Sequence, residues 1–200
     1  MEFADLIRAR RMTRAFSTEP VAPELLDEVL DLGRRVPSAG NTQGFDLVVL
    51  VGAEETARYW DASLPVDRRG TFRWKALLDA PVIVTVWADP SAYVNRYAEG
   101  DKSATGLGQG PDAWATPYWT VDSSFVALAV QLAAQDAGLG VLFFGMFDQG
   151  AAIASVLGVP RGHEPIGTIA IGWPAPTEET GLSAGRKRRS ADEIIHRGGW

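Results

Sequence analysis

Apolar positions recur along the chain with two spacings, and each spacing predicts one kind of element. Recurrence every three or four residues is typical of an amphipathic helix, and a short β-branched run is typical of a strand. The first pattern predicts helices over 2–11, from Pro23 to a point before Pro37, and over 53–64, 72–80 and 120–138. The second predicts strands at 45–51, 81–88, 140–147 and 165–173.

Certain side chains are expected to form the apolar faces of these helices. In the first two helices they are Phe3, Leu6, Ile7, Leu26, Val29, Leu30 and Gly33. In the helix at 120–138 they are Phe125, Leu128, Ala129, Leu132 and Ala133. Gly138 is expected to end that helix in a left-handed turn, and Asp148 to cap a short helix that ends near Gly158.

The order of the elements predicts the class of fold. The strand at 81–88 is apolar on both faces, which indicates a central place in a sheet. Helices and strands alternate irregularly, which favours a mixed sheet covered by helices on both faces over a regular βαβ series. Since no repeat or linker interrupts the pattern, we expect a single domain over 1–200.

Composition excludes several classes of protein. The formal net charge of -6 argues against a general nucleic-acid binder, because an acidic surface repels phosphate backbones. No apolar run is long enough to cross a membrane, and the N-terminus lacks the apolar stretch of a secretory signal. The absence of cysteine removes disulfides and thiolate chemistry. We therefore expect a cytoplasmic protein without membrane or nucleic-acid partners.

Arginine is concentrated near both ends of this acidic chain. The stretch RARRMTR, 8–14, holds four arginines, and GRKRRS, 185–190, holds four consecutive basic residues. Because chain termini often lie close together in a domain, the two patches could surround a dianion such as a phosphate. The alternative is that each is a solvated surface run.

A polar segment, 37–43, separates the second helix from the first strand. Ser38, Asn41 and Gln43 carry groups that can donate and accept hydrogen bonds, which suits the carbonyls and ring nitrogens of a heteroaromatic ligand. The alternative is a helix-capping loop, since Pro, Ser, Gly and Asn are common turn residues.

Five motifs in order give the chain a family resemblance. They are RRMTRAF with a following EPV, PSAGNTQGF, YWTVDSSFVALAVQLAAQDAGLG, PIGTIAIGWP and GRKRRSADEIIH. Together they resemble the FMN-dependent nitroreductase superfamily over nearly the whole chain. The resemblance implies an α+β fold with a mixed, mostly antiparallel sheet in an α/β/α sandwich. It also implies a homodimer in which the C-terminal tail is exchanged.

The resemblance further implies a set of FMN-binding residues. The first basic motif, which grips the ribityl phosphate and the pyrimidine side of FMN, corresponds to Arg10, Arg11, Met12 and Arg14, with Met12 where the family usually has Ser. The segment that reaches the flavin of the other subunit corresponds to Pro37, Ser38, Asn41 and Gln43, followed by Gly44 and Phe45 where Pro-Trp is usual. Backbone near flavin N5 corresponds to Phe144, Gly145 and Met146, and the phosphate-closing motif to Arg186 and Arg188. Arg73 or Lys75 is a further candidate.

The function implied by the resemblance is an FMN oxidoreductase. Such an enzyme takes hydride from NAD(P)H and reduces a nitroaromatic, a quinone or a similar small acceptor by a ping-pong cycle. A Gly-rich loop at 98–119 shows no helix or strand periodicity and ends with Trp114, Pro117, Tyr118 and Trp119. These residues are the candidate wall of the acceptor site; the alternative is that the aromatic ones pack in the core or at the dimer interface. Two alternatives stay open: a flavoenzyme with other chemistry, such as flavin fragmentation, dehalogenation or dehydrogenation, and a non-catalytic flavin- or anion-binding protein.

Other chemistry finds little support in the sequence. His163 and His196 have no ligand-spaced neighbours, so no metal site is expected, and each is interpreted as a surface or cap histidine. The GLGQG stretch at 106–110 lacks the strand and helix that flank a dinucleotide loop. Asp122 is interpreted as a helix N-terminal charge rather than a catalytic acid.

Overall fold

Four antiparallel strands form the sheet in this computed structural model, which describes residues 1–176 and 181–200. In chain order they are β1 (Phe45–Val51), β2 (Val82–Ala88), β3 (Gly140–Phe144) and β4 (Glu164–Gly172). Their order across the sheet is β1-β2-β4-β3. All three neighbouring pairs are antiparallel, so the predicted antiparallel character is confirmed, and β2 holds the predicted interior position.

Seven α-helices accompany the sheet in the described residues. They are α1 (Phe3–Ala9), α2 (Pro23–Gly33), α3 (Gly52–Ser63), α4 (Val66–Arg69), α5 (Pro90–Ala98), α6 (Tyr118–Asp136) and α7 (Gly150–Leu157). Helices α4 and α5 lie outside the predicted set. The predicted loop at 98–117 is built from short 3-10 turns at Ser103–Thr105, Leu107–Gln109 and Pro111–Ala113.

The alternation of side chains along each strand separates two apolar cores. Val82, Val84 and Val86 of β2 face a core shared with α2 and α6. Ile83 and Trp87, which directly follow Val82 and Val86 in β2, face a second core shared with α3 and α7. Successive strand residues point to opposite faces, so a strand that is apolar at every position is covered on both sides.

Three predicted elements differ from the structure. Where a helix is expected over 72–80, the structure has only a 3-10 turn at Lys75–Leu77. Pro81 disfavours helical backbone at the residue before it, and β2 begins directly after it. Strand β3 ends at Phe144, short of the predicted 147. Asp148 lies inside a 3-10 turn, and α7 begins at Gly150 with no side-chain cap, so the predicted capping role is wrong.

Helix α6 is apolar on two opposite faces. The face that packs on the sheet includes Val126, Ala127 and Val130, all buried. Phe125 and Leu128, which the sequence pattern placed on the packing face, are 44% and 47% exposed. The face was wrong because spacing alone does not say which of two apolar stripes meets the sheet. The sheet therefore covers one apolar stripe of α6 and leaves the other exposed.

Helix α1 also buries less than predicted. Leu6 is buried, whereas Phe3 and Ile7 are exposed. The stripe in α2 is confirmed, with Leu26, Val29 and Gly33 buried against α6. Gly138 has a φ of 82°, which is the predicted left-handed turn after α6.

Gly108 provides a test of how the 98–117 stretch packs on α5. A Cβ at this position would lie 2.6 Å from the backbone N and Cα of Ala98, and backbone cannot move aside as a side chain can. We expect Gly108→Ala to lower the free energy of unfolding by about 1–3 kcal/mol, the usual cost of overpacking. Urea unfolding measures this. Gly100→Ala is the control, because nothing lies within 4 Å of its Cβ, and equal midpoints for the two variants would contradict the packing.

Candidate functional site

The N-terminal basic motif runs beside strand β3. The Thr13 N–H donates to the Val141 carbonyl at 2.8 Å, and the Ser17 N–H donates to the Trp173 carbonyl at 2.9 Å. Gly140 permits this approach, since a Cβ there would lie 2.7 Å from Thr13 Oγ1. These contacts fix the backbone of the segment and therefore the Cα position from which each arginine side chain extends.

Arg14 extends from this segment over an indole ring. Its guanidinium carbon lies 5.8 Å from the centroid of the Trp74 ring, and its Nη1 donates to the Met12 carbonyl at 3.1 Å. The guanidinium carbon of Arg73 lies 5.9 Å from the same centroid. Two cations at this range from one ring are cation–π contacts.

Arg14 and the segment after β3 line one cleft of about 430 Å³, here called the aromatic cleft. Its other walls come from α3 and from the turn before β2. It brings together four predicted site residues: Arg14, Phe144, Gly145 and Met146. Trp60, Phe72 and Trp74 supply aromatic surface, and Arg68 adds a second cation. A mainly apolar cleft with a few polar groups is the usual form of a cofactor site.

Two donors in the aromatic cleft are left without partners. The indole Nε1 atoms of Trp60 and Trp74 are buried and have no hydrogen-bond partner in the described structure. Trp60 stacks on Phe144 with ring centroids 6.1 Å apart and an interplanar angle of 3°. Both indole nitrogens are enclosed by protein, so the donor that the cleft offers to a planar ligand is the Arg14 guanidinium.

Arg10 and Arg11 line a different pocket. It has a volume of about 250 Å³, with walls from α1, the end of α6 and Pro174. Arg10 is half-buried and Arg11 is exposed, and the Arg11 carbonyl accepts from Gln135 Nε2 at 2.6 Å. Met12 packs its side chain against the second core. The motif therefore divides, with Arg10 and Arg11 at one pocket and Arg14 at the other.

The polar segment 37–43 forms a tight loop. Asn41 and Gln43 both have a φ of 54°, and Gly40, which precedes Asn41, has a φ of 62°. Ser38 Oγ accepts from the Gln43 N–H at 2.9 Å, and Gln43 Nε2 donates to Asn41 Oδ1 at 3.3 Å. Pro37, Asn41 and Gln43 are exposed. Their polar side chains are thus presented to solvent on a constrained backbone.

One chain does not bring this loop to the aromatic cleft. The loop leads into Phe45, which pairs with Ala88 at one edge of the sheet, whereas β3 forms the other edge. Two strands lie between them, which corresponds to roughly 14 Å across the sheet. A site built from both groups therefore requires a second chain.

A third pocket lies beside this loop. Its volume is about 440 Å³, and its lining includes Ala39, Tyr97, Trp114 and Tyr118. Trp114 is held by a 3.0 Å hydrogen bond from its Nε1 to the Leu107 carbonyl. Trp119 does not line the pocket, and its Nε1 donates to Glu164 at 2.9 Å. Of the aromatic residues at the end of the predicted 98–119 loop, Trp114 and Tyr118 line the pocket, whereas Trp114 and Trp119 are both buried in one small core with Tyr93.

Arg186 and Arg188 lie in the exposed C-terminal tail, 181–200. In the described part of the chain, the hydrogen bonds of these twenty residues join them only to one another. The tail meets the N-terminal motif at Gly181, where a Cβ would lie 2.6 Å from the Arg14 guanidinium carbon. The start of the predicted tail, at 177–180, lies outside the described residues.

The histidines form local contacts. His163 Nε2 lies 3.1 Å from Asp46 Oδ2, and the His196 ring lies 4.2 Å from the Trp200 ring. Among residues 1–176 and 181–200, no group of three or more His, Cys, Asp or Glu is arranged to hold a metal ion. None of the helices described there has the length and apolarity to cross a membrane.

Tyr59 beneath the aromatic cleft gives a pH prediction. Burial raises the pKa of its phenol to about 12, against 10.0 ordinarily, and its oxygen accepts from Thr168 at 2.9 Å. The unfolded chain loses this proton first, so its contribution to stability is complete below pH 10 and is lost as the pH rises to about 12.

We therefore expect Tyr59→Phe to flatten the alkaline fall in stability. Removal of this ionisation should abolish up to about 2–3 kcal/mol of the decrease in unfolding free energy above pH 10. Denaturant unfolding at pH 9 and pH 11.5 measures the change. Tyr118→Phe, at an exposed tyrosine, should keep the wild-type pH dependence. An unaltered fall in Tyr59→Phe would contradict the assignment.

Several residues around these pockets were not predicted from sequence. Trp60 and Trp74 were read only as parts of helices, and Tyr93 and Arg96 belong to the unpredicted helix α5. Asp122 is not a helix-terminal charge: it lies in the second turn of α6, is 2% exposed, and accepts hydrogen bonds from Tyr93 and Ala39. The sequence carried no signal for this role, since the burial of Asp122 is set by tertiary contacts.

Comparison with known proteins places this geometry in a family. The model of the nitroreductase family matches residues 7–173. The chain is 24% identical over 204 residues to an NADH dehydrogenase/NAD(P)H nitroreductase of Archaeoglobus fulgidus, covering 100% of this chain and 99% of that protein. It is 24% identical over 215 residues to iodotyrosine deiodinase 1 of Pongo abelii, covering 97% and 68%.

A solved structure agrees with the fold. The nitroreductase family protein of Streptococcus pneumoniae superposes with a TM-score of 0.72 at 20% identity, over 98% of this chain and 100% of that one. The sheet, the helices on its two faces and the family match over residues 7–173 lead to one conclusion. The chain belongs to the nitroreductase family of oxidoreductases.

Proposed function

We propose that the protein is an FMN-dependent oxidoreductase that takes hydride from NAD(P)H and reduces a small nitroaromatic, quinone or similar acceptor in a ping-pong cycle. The observation that carries this proposal is the aromatic cleft, where Arg14 meets Phe144, Gly145 and Met146. These residues come from distant parts of the chain, and the family resemblance had assigned them all to one flavin.

The residues of the cleft fit FMN. The Arg14 guanidinium offers donors to the carbonyls and ring nitrogens of the isoalloxazine, and the rings of Trp60 and Trp74 offer apolar surface to its faces. Arg10 and Arg11 line the neighbouring pocket rather than the cleft. In this proposal they act with Arg186 and Arg188 of the tail, and their guanidinium groups form charge-assisted hydrogen bonds to the phosphate. Met12 contributes packing rather than a polar contact, consistent with the missing Ser hydroxyl.

When bound, FMN supplies the redox chemistry, accepting two electrons as hydride from NAD(P)H and releasing them to the acceptor. The task of the chain is binding and electrostatics. The Arg14 cation would stabilise negative charge on the pyrimidine side of the ring, and it is held for that purpose by the Met12 carbonyl and Trp74. The apolar walls at Trp60 and Phe144 exclude water from the ring. We assign no protein acid or base to the hydride step.

The complete site would be formed by a homodimer. The outer face of α6 presents Phe125 and Leu128 to solvent, which is the surface a second copy would cover. Because the loop at 37–43 lies at the sheet edge opposite β3, it can serve only the flavin of a partner. The exchange of the tail between subunits belongs to the same proposal, with residues 1–200 as one FMN-binding domain acting in the cytoplasm.

The pocket of Tyr97, Trp114 and Tyr118 is the acceptor wall in this proposal. It adjoins Ala39 of the loop at 37–43, so both would reach the partner's flavin together. Its lining is aromatic and uncharged, which favours a planar acceptor. We propose no membrane or nucleic-acid partner for the protein.

A second candidate keeps the flavin and changes the chemistry. The similarity to iodotyrosine deiodinase 1 over 97% of the chain supports it. An anaerobic titration distinguishes the possibilities. The protein loaded with FMN is bleached with NADH or NADPH and then mixed with a nitroaromatic, a quinone or a halogenated phenol. Rapid reoxidation by a nitroaromatic or quinone supports the first proposal, and reoxidation by the halogenated phenol alone supports the second. A flavin that NAD(P)H never bleaches would indicate a binding protein.

A further inference from the structure

A buried carboxylate connects helix α6 to the loop at 37–43. Asp122 Oδ2 accepts the Ala39 N–H at 2.8 Å and the Tyr93 hydroxyl at 2.8 Å. The side chain is 2% exposed, and a charge taken out of water is retained only when hydrogen bonds compensate it. Two donors from different elements converge on this one oxygen, so Asp122 fixes their relative positions.

The loop that Asp122 holds has an unfavourable backbone conformation. Gly40, Asn41 and Gln43 all have φ in the left-handed region, between 54° and 62°. Glycine and asparagine adopt this region readily, whereas Gln43 remains there only because its surroundings hold it. The bonds inside the loop, such as Asn41 N–H to the Ser38 carbonyl at 2.9 Å, close the turn but do not orient it on the protein.

Two anchors orient the loop. One is Asp122 on Ala39, and the other is Arg96, whose Nε donates to the Gly40 carbonyl at 2.9 Å. Arg96 is itself fixed by Asp101, through bonds of 2.7 and 2.8 Å. The two anchors bind adjacent residues: Asp122 accepts from the Ala39 N–H, and Arg96 donates to the Gly40 carbonyl. Both sides of the turn are therefore held in place.

Tyr93 makes the Asp122 anchor rigid. Its ring fills the space beside Gly44, where a Cβ would lie 2.6 Å from Cε2, so the tyrosine packs under the end of the same loop. Burial and the neighbouring Asp122 carboxylate both raise the pKa of the Tyr93 phenol far above its usual value. The hydroxyl therefore remains a donor to Asp122 at any working pH.

We propose that Asp122 is a positioning residue for flavin binding: acting through the Ala39 N–H, it sets the places of Ser38, Asn41 and Gln43 against the FMN of the partner subunit. This inference rests on the proposed function, because the flavin contact of the loop comes from there. Asp122 does not touch the flavin itself. Its effect is to hold the strained loop in the one orientation in which the exposed polar side chains can reach the ring.

The test compares Asp122→Ala with Asp122→Asn in the full-length dimer. The alanine leaves Ala39 and Tyr93 without an acceptor, and we expect it to weaken FMN binding at least about 10-fold, with a shift in the visible absorption bands of the bound flavin. The asparagine oxygen can accept the same two bonds, so its FMN affinity should stay within about 3-fold of wild type. Fluorescence titration with FMN measures both.

Gln131→Ala controls for simple destabilisation. Gln131 is buried in the same helix, and its Nε2 donates to the Ala127 carbonyl at 2.8 Å, but it does not contact the loop. We expect this variant to lose thermal stability and to keep the wild-type FMN affinity and flavin spectrum. If both alanine variants weaken FMN binding in proportion to their loss of stability, the positioning role is wrong.

The remaining outcomes separate this inference from the proposed function. Wild-type protein that fails to bind FMN overturns both. Wild-type binding that Asp122→Ala leaves unchanged overturns the positioning role alone. Should Asp122→Ala not fold, Arg96→Gln releases the same loop at Gly40 and should weaken FMN binding several-fold. Arg58→Gln, which loses a 3.0 Å bond to the Val156 carbonyl instead, should not. Equal affinities for these two variants would overturn the role as well.

Discussion

Removal of residues 181–200 should lower the affinity for FMN by more than about 100-fold, since it takes away the two proposed charge-assisted partners of the phosphate, each worth about 1.5–3 kcal/mol. The partners are Arg186 and Arg188, both exposed in this chain. The tail is hydrogen-bonded only within itself among the described residues, so the unfolding midpoint of the remaining domain should change little. Equilibrium dialysis against FMN measures the affinity.

The truncated chain should also lose its dimer. A tail exchanged between subunits contributes contact area that a second copy cannot replace, and sedimentation should then report a monomer. The double variant Arg186→Ala, Arg188→Ala is the control: it should lose FMN affinity to a similar degree and remain dimeric. If the truncated protein stays yellow and dimeric after purification, the role assigned to the tail is wrong.

Arg10→Ala should weaken FMN binding by about 1.5–3 kcal/mol, the range for a hydrogen bond to a charged group. Arg10 is half-buried at the mouth of its pocket, and its backbone is fixed where α1 ends, so the side chain is directed rather than free. The loss should appear for FMN and be much smaller for riboflavin, which lacks the phosphate. Isothermal titration with each flavin gives both values.

Arg8→Ala is the matched control for Arg10→Ala. Arg8 is two residues away, in the last turn of α1, but its side chain is 76% exposed and pairs with Asp5 at 3.2 Å. Removal of an exposed pair of this kind changes little. If both variants bind FMN as tightly as the wild-type protein, the proposed phosphate contact at Arg10 is wrong. If both lose affinity equally, the effect is one of net charge.

The sheet could be predicted from sequence because its signal is local. The run 81–88 is apolar on both faces apart from Thr85, and β2 indeed contacts a core on each face. Helix α5 was missed because it is short and only Pro90 and Tyr93 of it are buried, so its apolar stripe is weak. Residue spacing also could not show which of the two apolar stripes of α6 packs on the sheet, since that depends on the tertiary contacts of the helix.

The candidate site was predictable only where motifs carried it. The family resemblance singled out Arg14 and Gly145, which the structure brings to one cleft. It gave no indication of Trp60 or Asp122, since a tryptophan or an aspartate inside a helix has no local pattern that marks it as part of a pocket. Their roles depend on contacts across 83 positions or more of chain, as between Ala39 and Asp122, and such contacts exist only in the folded molecule.

A parallel titration of the wild-type protein with FMN and riboflavin tests most directly whether arginines enclose the phosphate of a bound flavin. We expect FMN to bind at one molecule per chain and at least about 100-fold more tightly than riboflavin, as several charged contacts to the phosphate require. Equal affinities for the two flavins, or no uptake of either, would contradict the account.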